Sequence, residues 1–192
     1  MYEHLAEKCL EEKTVFKGKI LEVNHDTVEL PDKSRAFREV VYHCGGVAIA
    51  AVTDDNCLMF VRQYRYPYRE VLLEIPAGKL DAGEEPLAAA KRELLEEAGA
   101  IGEDYRYMGV MYPSPGCYRE CLHLYFCRVR EFGSSNPDED EFLETEKIPL
   151  DQAVQMCLDN EIADAKTQLL ILKIAAILEW EKTEKERKTE RE

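Results

Sequence analysis

The chain has 192 residues, a size that fits one domain with at most a small appendage, and its hydrophobic fraction of 45% is enough for a sizeable core. Its formal net charge is −14, from 25 basic and 39 acidic residues, and a field of that sign repels nucleic-acid backbones and anionic membranes. We therefore expect neither as a partner, and an anionic small molecule only where a metal ion or local basic residues reverse the sign.

The seven cysteines are scattered, and no two have the C-x-x-C spacing of a zinc or redox site. Most lie within apolar runs, which predicts buried free thiols in a reducing cytosol. The N-terminus, MYEHLAEKCLEEK, has neither the basic start nor the apolar core of a secretory signal. The longest apolar run, at 169–180, contains Lys173 and is too short to span a bilayer. These features predict a cytoplasmic protein.

From residue 14 to residue 75 the sequence has the pattern of β-strands. β-Branched residues alternate with polar ones, and turn-forming residues interrupt them. Asp54-Asp55-Asn56 marks a hairpin between two apolar runs. The predicted elements are a β-region at 14–43, with turns at 24–26 and 31–34, and strands at 45–52, 57–65 and 70–75.

The first long helix is predicted to begin at Pro86. Proline suits the first helical position, where its missing N–H would have no partner in any case. Gly99 is placed to end the helix. Leu87, Ala90 and Leu94 recur at helical spacing, so we expect this stripe to pack on the core, opposite the charged face.

After this helix, strands and helices are intermixed rather than strictly alternating, which favours a mixed α/β sandwich over a doubly wound sheet. The C-terminal tail has helix formers of both signs and is expected to fray. The predicted elements are strands at 105–112 and 121–132, a turn-rich loop at 113–116, an acidic loop at 133–146 that leads to a short strand, and helices at 150–160 and 164–180.

The first long helix carries a cluster of glutamates. Glu93 and Glu97 are four residues apart and project from one face, with Glu96 beside them. A like-charge pair at this spacing costs roughly 0.2–0.5 kcal/mol in an isolated helix, and partial burial would raise that cost. Mg²⁺ prefers carboxylate oxygens and keeps several waters, which leaves room for substrate phosphates. The cluster is therefore a candidate metal site, with a solvated acidic face as the alternative.

These glutamates belong to a longer pattern. From Gly78 to Ala100 the sequence is similar to the Nudix box, G-x5-E-x7-R-E-U-x-E-E-x-G-U, in which U is a bulky aliphatic residue. Every charged and glycine position matches, and the one departure is the small Ala100. The resemblance implies an α/β (α+β) Nudix fold, in which a mixed β-sheet lies between helices. The box residues with implied structural roles are Gly78, Glu84, Arg92 and Gly99.

The resemblance also implies an activity, the hydrolysis of a nucleoside diphosphate linked to another moiety, with Mg²⁺ or Mn²⁺ as cofactor. Glu93 and Glu97 would be catalytic, and Arg92 would pair with Glu84 to brace the loop. A separate base is needed, because a metal ion depresses the pKa of the glutamates that bind it. The implied base is Glu139 in the acidic loop, for which a disordered acidic surface is the alternative interpretation. The implied metal ligands are the backbone carbonyl of Ala77 and the carboxylates of Glu93, Glu96, Glu97 and Glu141.

Features outside the box resemble the ADP-ribose pyrophosphatase subgroup. Pro115 lies 15 residues past Ala100. The segments REVVYHCGGVAIAAV (38–52) and VRQYRYPYREVLLEIPAGKLDAGE (61–84) are similar to that subgroup over much of their length. This resemblance implies that ADP-ribose is the substrate, that AMP and ribose 5-phosphate are the products, and that the protein is a homodimer.

Substrate contacts are predicted where tyrosines alternate with arginines, between residues 62 and 68. Flat rings can stack on adenine, and a guanidinium can bind a diphosphate through two hydrogen bonds. A strand with aromatic core positions and exposed arginines remains the structural alternative. Arg65 matches the arginine of the subgroup's Q-x-R segment. The predicted substrate-binding residues are Arg65, Arg38, Tyr66 and Pro115.

The predicted organisation is a small N-terminal antiparallel β-region at 1–44, which can exchange between subunits of a dimer, a Nudix domain at 45–182 and a charged tail at 183–192. Two alternatives stay open. One is a Nudix hydrolase of another nucleotide sugar, a dinucleoside polyphosphate or an oxidised nucleotide. The other is a module that binds ADP-ribose without cleaving it, although such modules usually lack box carboxylates and this chain keeps all of them.

Overall fold

The computed structural model describes residues 2–137 and 141–189. Within these ranges the fold is mixed α+β, with two β-sheets and three α-helices. The chain divides into two compact units. The first unit comprises Met1–Gly45 and Tyr112–Leu122, and the second comprises Gly46–Met111 and His123–Glu192.

The first unit contains a five-stranded sheet around a long central strand. The central strand, β3, is antiparallel to β1, β2 and β4, and β10 pairs in parallel with the far side of β4. A short 3-10 helix, Glu3–Leu5, precedes the sheet. The strands are β1 (Lys8–Glu11), β2 (Thr14–Lys17), β3 (Leu21–Glu29), β4 (Arg35–His43) and β10 (Tyr118–Arg119).

The turn predicted at 24–26 is wrong, because β3 runs straight through these residues. Asn24 and Asp26 are buried, and Asp26 accepts a hydrogen bond from the backbone N–H of Lys13 at 3.1 Å. Pairing with strands on both sides satisfies the backbone of β3 along its length. Tertiary context has therefore overridden the local turn propensity.

The second unit contains a seven-stranded sheet in the order β12-β6-β5-β11-β9, in which β7 also pairs with β6 and β8 with β5. Strand β6 is antiparallel to β5, β7 and β12, and β8 is antiparallel to β5. The strands are β5 (Gly46–Val52), β6 (Cys57–Arg65), β7 (Glu70–Glu74), β8 (Ala77–Lys79), β9 (Ala100–Met111), β11 (Leu122–Phe132) and β12 (Leu143–Pro149).

Three helices, α1 (Pro86–Ala98), α2 (Leu150–Leu158) and α3 (Ala165–Thr189), belong to the second unit. Strand β5 is buried along its whole length, and it contacts both α1 and α3. Val47 and Ile49 share a core cluster with Ala90 and Leu94 of α1. Because neighbouring strand residues face opposite sides, β5 can pack on both helices. The expected sheet between helices is confirmed.

Two helices differ from their predicted form. Leu87 is 38% exposed, and the buried face of α1 carries Ala90, Leu94 and the glutamates Glu93 and Glu97. The prediction that Leu87 helps to pack α1 on the core is wrong, because the helix is rotated so that the glutamates enter the interior. Helix α3 extends beyond its predicted end at residue 180, as far as Thr189.

The cysteines are less buried than their apolar surroundings suggested. Cys127 and Cys157 are buried, whereas the other five are partly or fully exposed. The prediction of mostly buried thiols is therefore wrong, since several lie at strand ends and in loops. No helix among the described residues combines the length and the apolar content needed to span a membrane.

Candidate active site

The candidate active site is built on β8, helix α1 and the loop between them. Pro86 is the first residue of α1. Gly99 follows the last helical residue in the left-handed conformation (φ 59°), and its N–H donates to the carbonyls of Leu94 and Leu95. The two ends predicted from the sequence thus coincide with the ends of the helix.

Glu97 lies deepest in this site, at 3% exposure. Its Oε2 accepts the backbone N–H of Ala77 at 2.8 Å. Burial raises the pKa of Glu97 to about 8 against the opposing effect of the Ala77 hydrogen bond, and the charges of Glu93 and Glu141 raise it further. The ionised carboxylate therefore needs a compensating positive charge that its protein surroundings supply only in part.

Glu93 lies one turn earlier on the same face, at 8% exposure. Burial also raises its pKa above the ordinary value, although Arg92 opposes this. An added Cβ at Gly78 would come within 2.0 Å of the Glu93 carboxylate. The box glycine is thus required for space, since any side chain there would displace the carboxylate from β8.

Arg92 donates hydrogen bonds to three carboxylates and one backbone carbonyl. Its Nε and Nη2 donate to Glu84 at 3.0 and 2.9 Å, and its Nη1 donates to Glu93 and Glu96, both at 2.9 Å. Nη2 also donates to the carbonyl of Lys79 at 3.2 Å. The hydrogen bond with Glu84 is the largest cause that raises the pKa of Arg92. The Arg92–Glu84 pair closes the loop between β8 and α1, and Arg92 holds two further acidic residues of the box.

The start of the acidic loop is tied to the end of α1. The N–H of Gly133 donates to the carbonyl of Gly99 at 2.7 Å, and that of Asn136 donates to the carbonyl of Glu96 at 2.9 Å. A Cβ on Gly99 would lie 2.9 Å from the Gly133 oxygen. Glu139, the predicted base, lies outside the described residues.

Glu141 is the first described residue after that interval, and it is partly buried. Its charge contributes to the raised pKa values of both Glu93 and Glu97. Glu141 therefore lies within electrostatic range of these two glutamates of α1.

The donor groups suit a hard divalent cation. Glu97 offers a buried carboxylate whose charge is compensated only in part, next to the backbone of Ala77, and Glu93 offers a second buried carboxylate beside Gly78. In the part of the chain that the structure describes, no three acidic, histidine or cysteine side chains converge in metal-binding geometry. Glu93 and Glu96 are instead turned towards Arg92. Arg92 bonds Oε1 of Glu93 and Oε2 of Glu96, so a cation that uses the second oxygen of each carboxylate does not require Arg92 to be displaced.

Arg65, at the end of β6, is held by a buried glutamate that sequence reasoning missed. Its Nε and Nη2 donate to the two oxygens of Glu74 at 2.6 and 2.8 Å. Glu74 is 2% exposed, and it also accepts a hydrogen bond from Lys166. The positive charge of Arg65 lowers the pKa of Glu97, which places Arg65 within electrostatic range of the box.

The other predicted substrate residues lie in different surroundings. Tyr66 is 66% exposed in the turn between β6 and β7, and the Arg69 guanidinium lies 3.7 Å from its ring centroid. Arg38 belongs to the first unit, where its Nε donates to Glu7 at 2.9 Å. Pro115 is exposed, in the segment of the first unit that precedes β10.

Comparisons with known proteins agree on the fold and the family. A model of the NUDIX domain matches residues 43–170, and a model of the nucleoside diphosphate sugar hydrolase N-terminal domain matches residues 7–41. The ADP-ribose pyrophosphatase of Bacillus subtilis (strain 168) is 37% identical over 169 residues, which cover 87% of this chain and 91% of that protein. The methanol dehydrogenase activator of Bacillus methanolicus is 37% identical over 167 residues, which cover 86% of this chain and 90% of that protein. A crystal structure of an ADP compounds hydrolase shares the fold, with a TM-score of 0.80 and 21% identity over 91% of this chain and 95% of that one.

Proposed function

Because the chain belongs to the Nudix family, we propose that it hydrolyses the diphosphate bond of ADP-ribose to AMP and ribose 5-phosphate. The observation that carries the proposal is the intact box, with Glu97 buried against the backbone of Ala77 and Glu93 buried beside Gly78. The N-terminal family match and the relative named ADP-ribose pyrophosphatase support the choice of substrate. Related ADP-sugars are the next candidates.

Each group of the site has a proposed role. The backbone carbonyl of Ala77 and the carboxylates of Glu93, Glu96, Glu97 and Glu141 would hold Mg²⁺ or Mn²⁺. When bound, such ions neutralise the diphosphate and favour deprotonation of water. The Arg65 guanidinium orients the diphosphate, and the exposed ring of Tyr66 can stack on adenine. Glu139 accepts the proton of the attacking water at its carboxylate, and the water oxygen then displaces the leaving phosphate in line.

The location, the oligomeric state and the domain organisation are also proposed from the family resemblance. We propose that the protein is a cytoplasmic homodimer, in which the N-terminal β-region at 1–44 exchanges between subunits and the Nudix domain spans 45–182. Residues 183–192 would form a charged tail. Size-exclusion chromatography with light scattering tests the dimer, and a monomeric mass at working concentration would contradict it.

A substrate panel tests the activity. Purified protein is incubated with ADP-ribose, ADP-mannose, NADH and a diadenosine polyphosphate, each with and without Mg²⁺, and the products are identified. We expect AMP and ribose 5-phosphate from ADP-ribose, only with the cation. Faster cleavage of the diadenosine polyphosphate would assign another substrate class, and binding of ADP-ribose without cleavage would indicate a non-catalytic module.

The role of Glu139 has its own test. Glu139→Gln keeps the size of the side chain but cannot accept a proton, so we expect turnover to fall by roughly 10²–10⁴-fold while the Mg²⁺ concentration for half-maximal binding stays near that of the wild type. Normal turnover in this variant would place the base elsewhere.

A further inference from the structure

Four charged side chains form a network of ion pairs beside the box in the second unit. Glu74, at the end of β7, is 2% exposed and accepts two hydrogen bonds from Arg65. The Nζ of Lys166 donates to Oε2 of the same carboxylate. Lys166 is itself paired with Asp164 at 3.0 Å, and its side chain is only 12% exposed. Positive and negative groups therefore alternate from Arg65 to Asp164.

This network of ion pairs ends at the first turn of α3. Asp164 precedes the helix, and its Oδ2 accepts the backbone N–H of Thr167 at 3.0 Å, as an N-terminal capping residue does. The Thr167 hydroxyl also donates to Asp164 and accepts the backbone N–H of Ile75 at 3.0 Å. Two neighbouring residues of α3, Lys166 and Thr167, thus hold two neighbouring residues of the strand end, Glu74 and Ile75.

The strand end leads directly to the box. The carbonyl of Pro76 accepts the N–H of Ile49 at 2.9 Å, and the N–H of Ala77 donates to Glu97. If Glu74 accepted only the two hydrogen bonds from Arg65, its carboxylate could still tilt. The second cation, arriving from α3, restricts the plane of Glu74 and therefore the direction of the guanidinium that shares it.

From this geometry we infer that Lys166 is a positioning residue for substrate binding, which acts by fixing Glu74 and, through Glu74, the Arg65 guanidinium. Thr167 supports the same arrangement by holding the backbone of Ile75. The inference rests on the proposed function, because that function identifies the group that Arg65 contacts as the diphosphate of an ADP derivative. It adds two residues of α3, about a hundred positions beyond Arg65 in the sequence, to the determinants of the site.

A double-mutant cycle tests whether Lys166 acts through Arg65. ADP binding in saturating Mg²⁺ is measured by calorimetry for wild type, Lys166→Met, Arg65→Met and the double variant. We expect Lys166→Met to weaken ADP binding by about tenfold, the size of one charge-assisted hydrogen bond, and to have no further effect in the Arg65→Met background. Equal effects in both backgrounds would overturn the inference.

Kinetics with ADP-ribose supply a second readout. Lys166→Met is expected to raise KM more than it lowers kcat, and Lys166→Arg, which keeps the charge, to restore KM to within about threefold of wild type. Lys182→Met is the matched control, because Lys182 is exposed on the same helix. Thr167→Val and Thr183→Val form a second matched pair, since the Thr183 hydroxyl donates to the carbonyl of Glu179 in its own helix, α3.

The failures of the two proposals can be told apart. Wild-type protein that binds ADP but does not cleave ADP-ribose would overturn the hydrolase proposal, and the binding cycle would still decide the role of Lys166. If Lys166→Met does not fold, as judged by circular dichroism, Lys166→Gln takes its place in the cycle. Unchanged ADP binding in a folded Lys166 variant would overturn the inference directly.

Discussion

Glu97 and Glu74 are buried to nearly the same extent, at 3% and 2% exposure, yet the pKa values of their carboxyl groups move in opposite directions. Burial, with smaller contributions from the charges of Glu93 and Glu141, raises the pKa of Glu97 to about 8. Burial alone would also raise the pKa of Glu74, but the hydrogen bonds from Arg65 and the charge of Lys166 lower it below its ordinary value.

The contrast separates two uses of a buried acid. Around Glu74 the protein provides its own cations, so the group is ionised and holds its neighbours in place. Around Glu97 the compensation is incomplete, which suits a site that a divalent ion and a diphosphate complete. The environment of each carboxylate, rather than its depth, therefore distinguishes the supporting site from the binding site.

Within this comparison, the largest expected effect comes from removing the negative charge of Glu97. Glu97→Gln keeps the shape of the side chain but loses the negative charge and one of the two oxygens that could bind the cation, so we expect kcat/KM to fall by roughly 10²–10³-fold. The Mg²⁺ concentration for half-maximal activity should rise. Steady-state kinetics across a Mg²⁺ titration measure both, and an unchanged Mg²⁺ dependence would remove Glu97 from the metal site.

The main expected effect of Glu74→Gln is a lower free energy of unfolding. Breaking a buried ion pair on one side typically costs about 3–5 kcal/mol, so a loss of that order is expected in urea unfolding at pH 7. The folded pKa of Glu74 lies below the ordinary 4.5, so its contribution is present above pH 4.5 and is lost as the pH falls through the folded pKa. The stability difference from wild type should therefore shrink in acid. A difference that is constant from pH 7 to pH 3 would show that its charge is not responsible.

Gly78→Ala should lower activity with little effect on stability. The added Cβ would meet the Glu93 carboxylate, which is the far end of a flexible side chain and can move aside. We expect activity to fall by about 10–100-fold, as for groups that orient metal ligands, with little change in thermal unfolding. Gly116→Ala, where a Cβ meets no atom within 4 Å, is the unfolding control. Full activity in Gly78→Ala would mean that Glu93 does not need its position against β8.

The smallest effect is expected at an exposed ion pair on the same strand as Arg65. Arg62 pairs with Glu146 at 2.8 Å, with both side chains 40% exposed. Exposed pairs contribute about 0.2–1 kcal/mol, so Arg62→Met should change the free energy of unfolding by no more than that. A loss as large as that of Glu74→Gln would contradict the view that burial gives the Glu74 cluster its importance.

Local signals explain why the box helix could be predicted well. Pro86 and Gly99 act through backbone geometry at a single position, and the helix begins and ends beside them. The orientation of that helix could not be predicted in the same way. Leu87 is exposed while Glu93 is buried, because the face that packs depends on what β8 and β5 present to it.

By itself, the sequence determined the α+β class, the ends of α1, the family resemblance and the spacing that sets the glutamates on one turn, because each depends on neighbours along the chain. Only the tertiary structure decided that Glu93 and Glu97 are buried beside β8, and that Lys166 reaches Glu74 across 92 positions. Contacts of that separation leave no periodic trace in the sequence. They exist because the sheet and α3 bring distant backbone segments together, and burial then obliges each charge to find a partner.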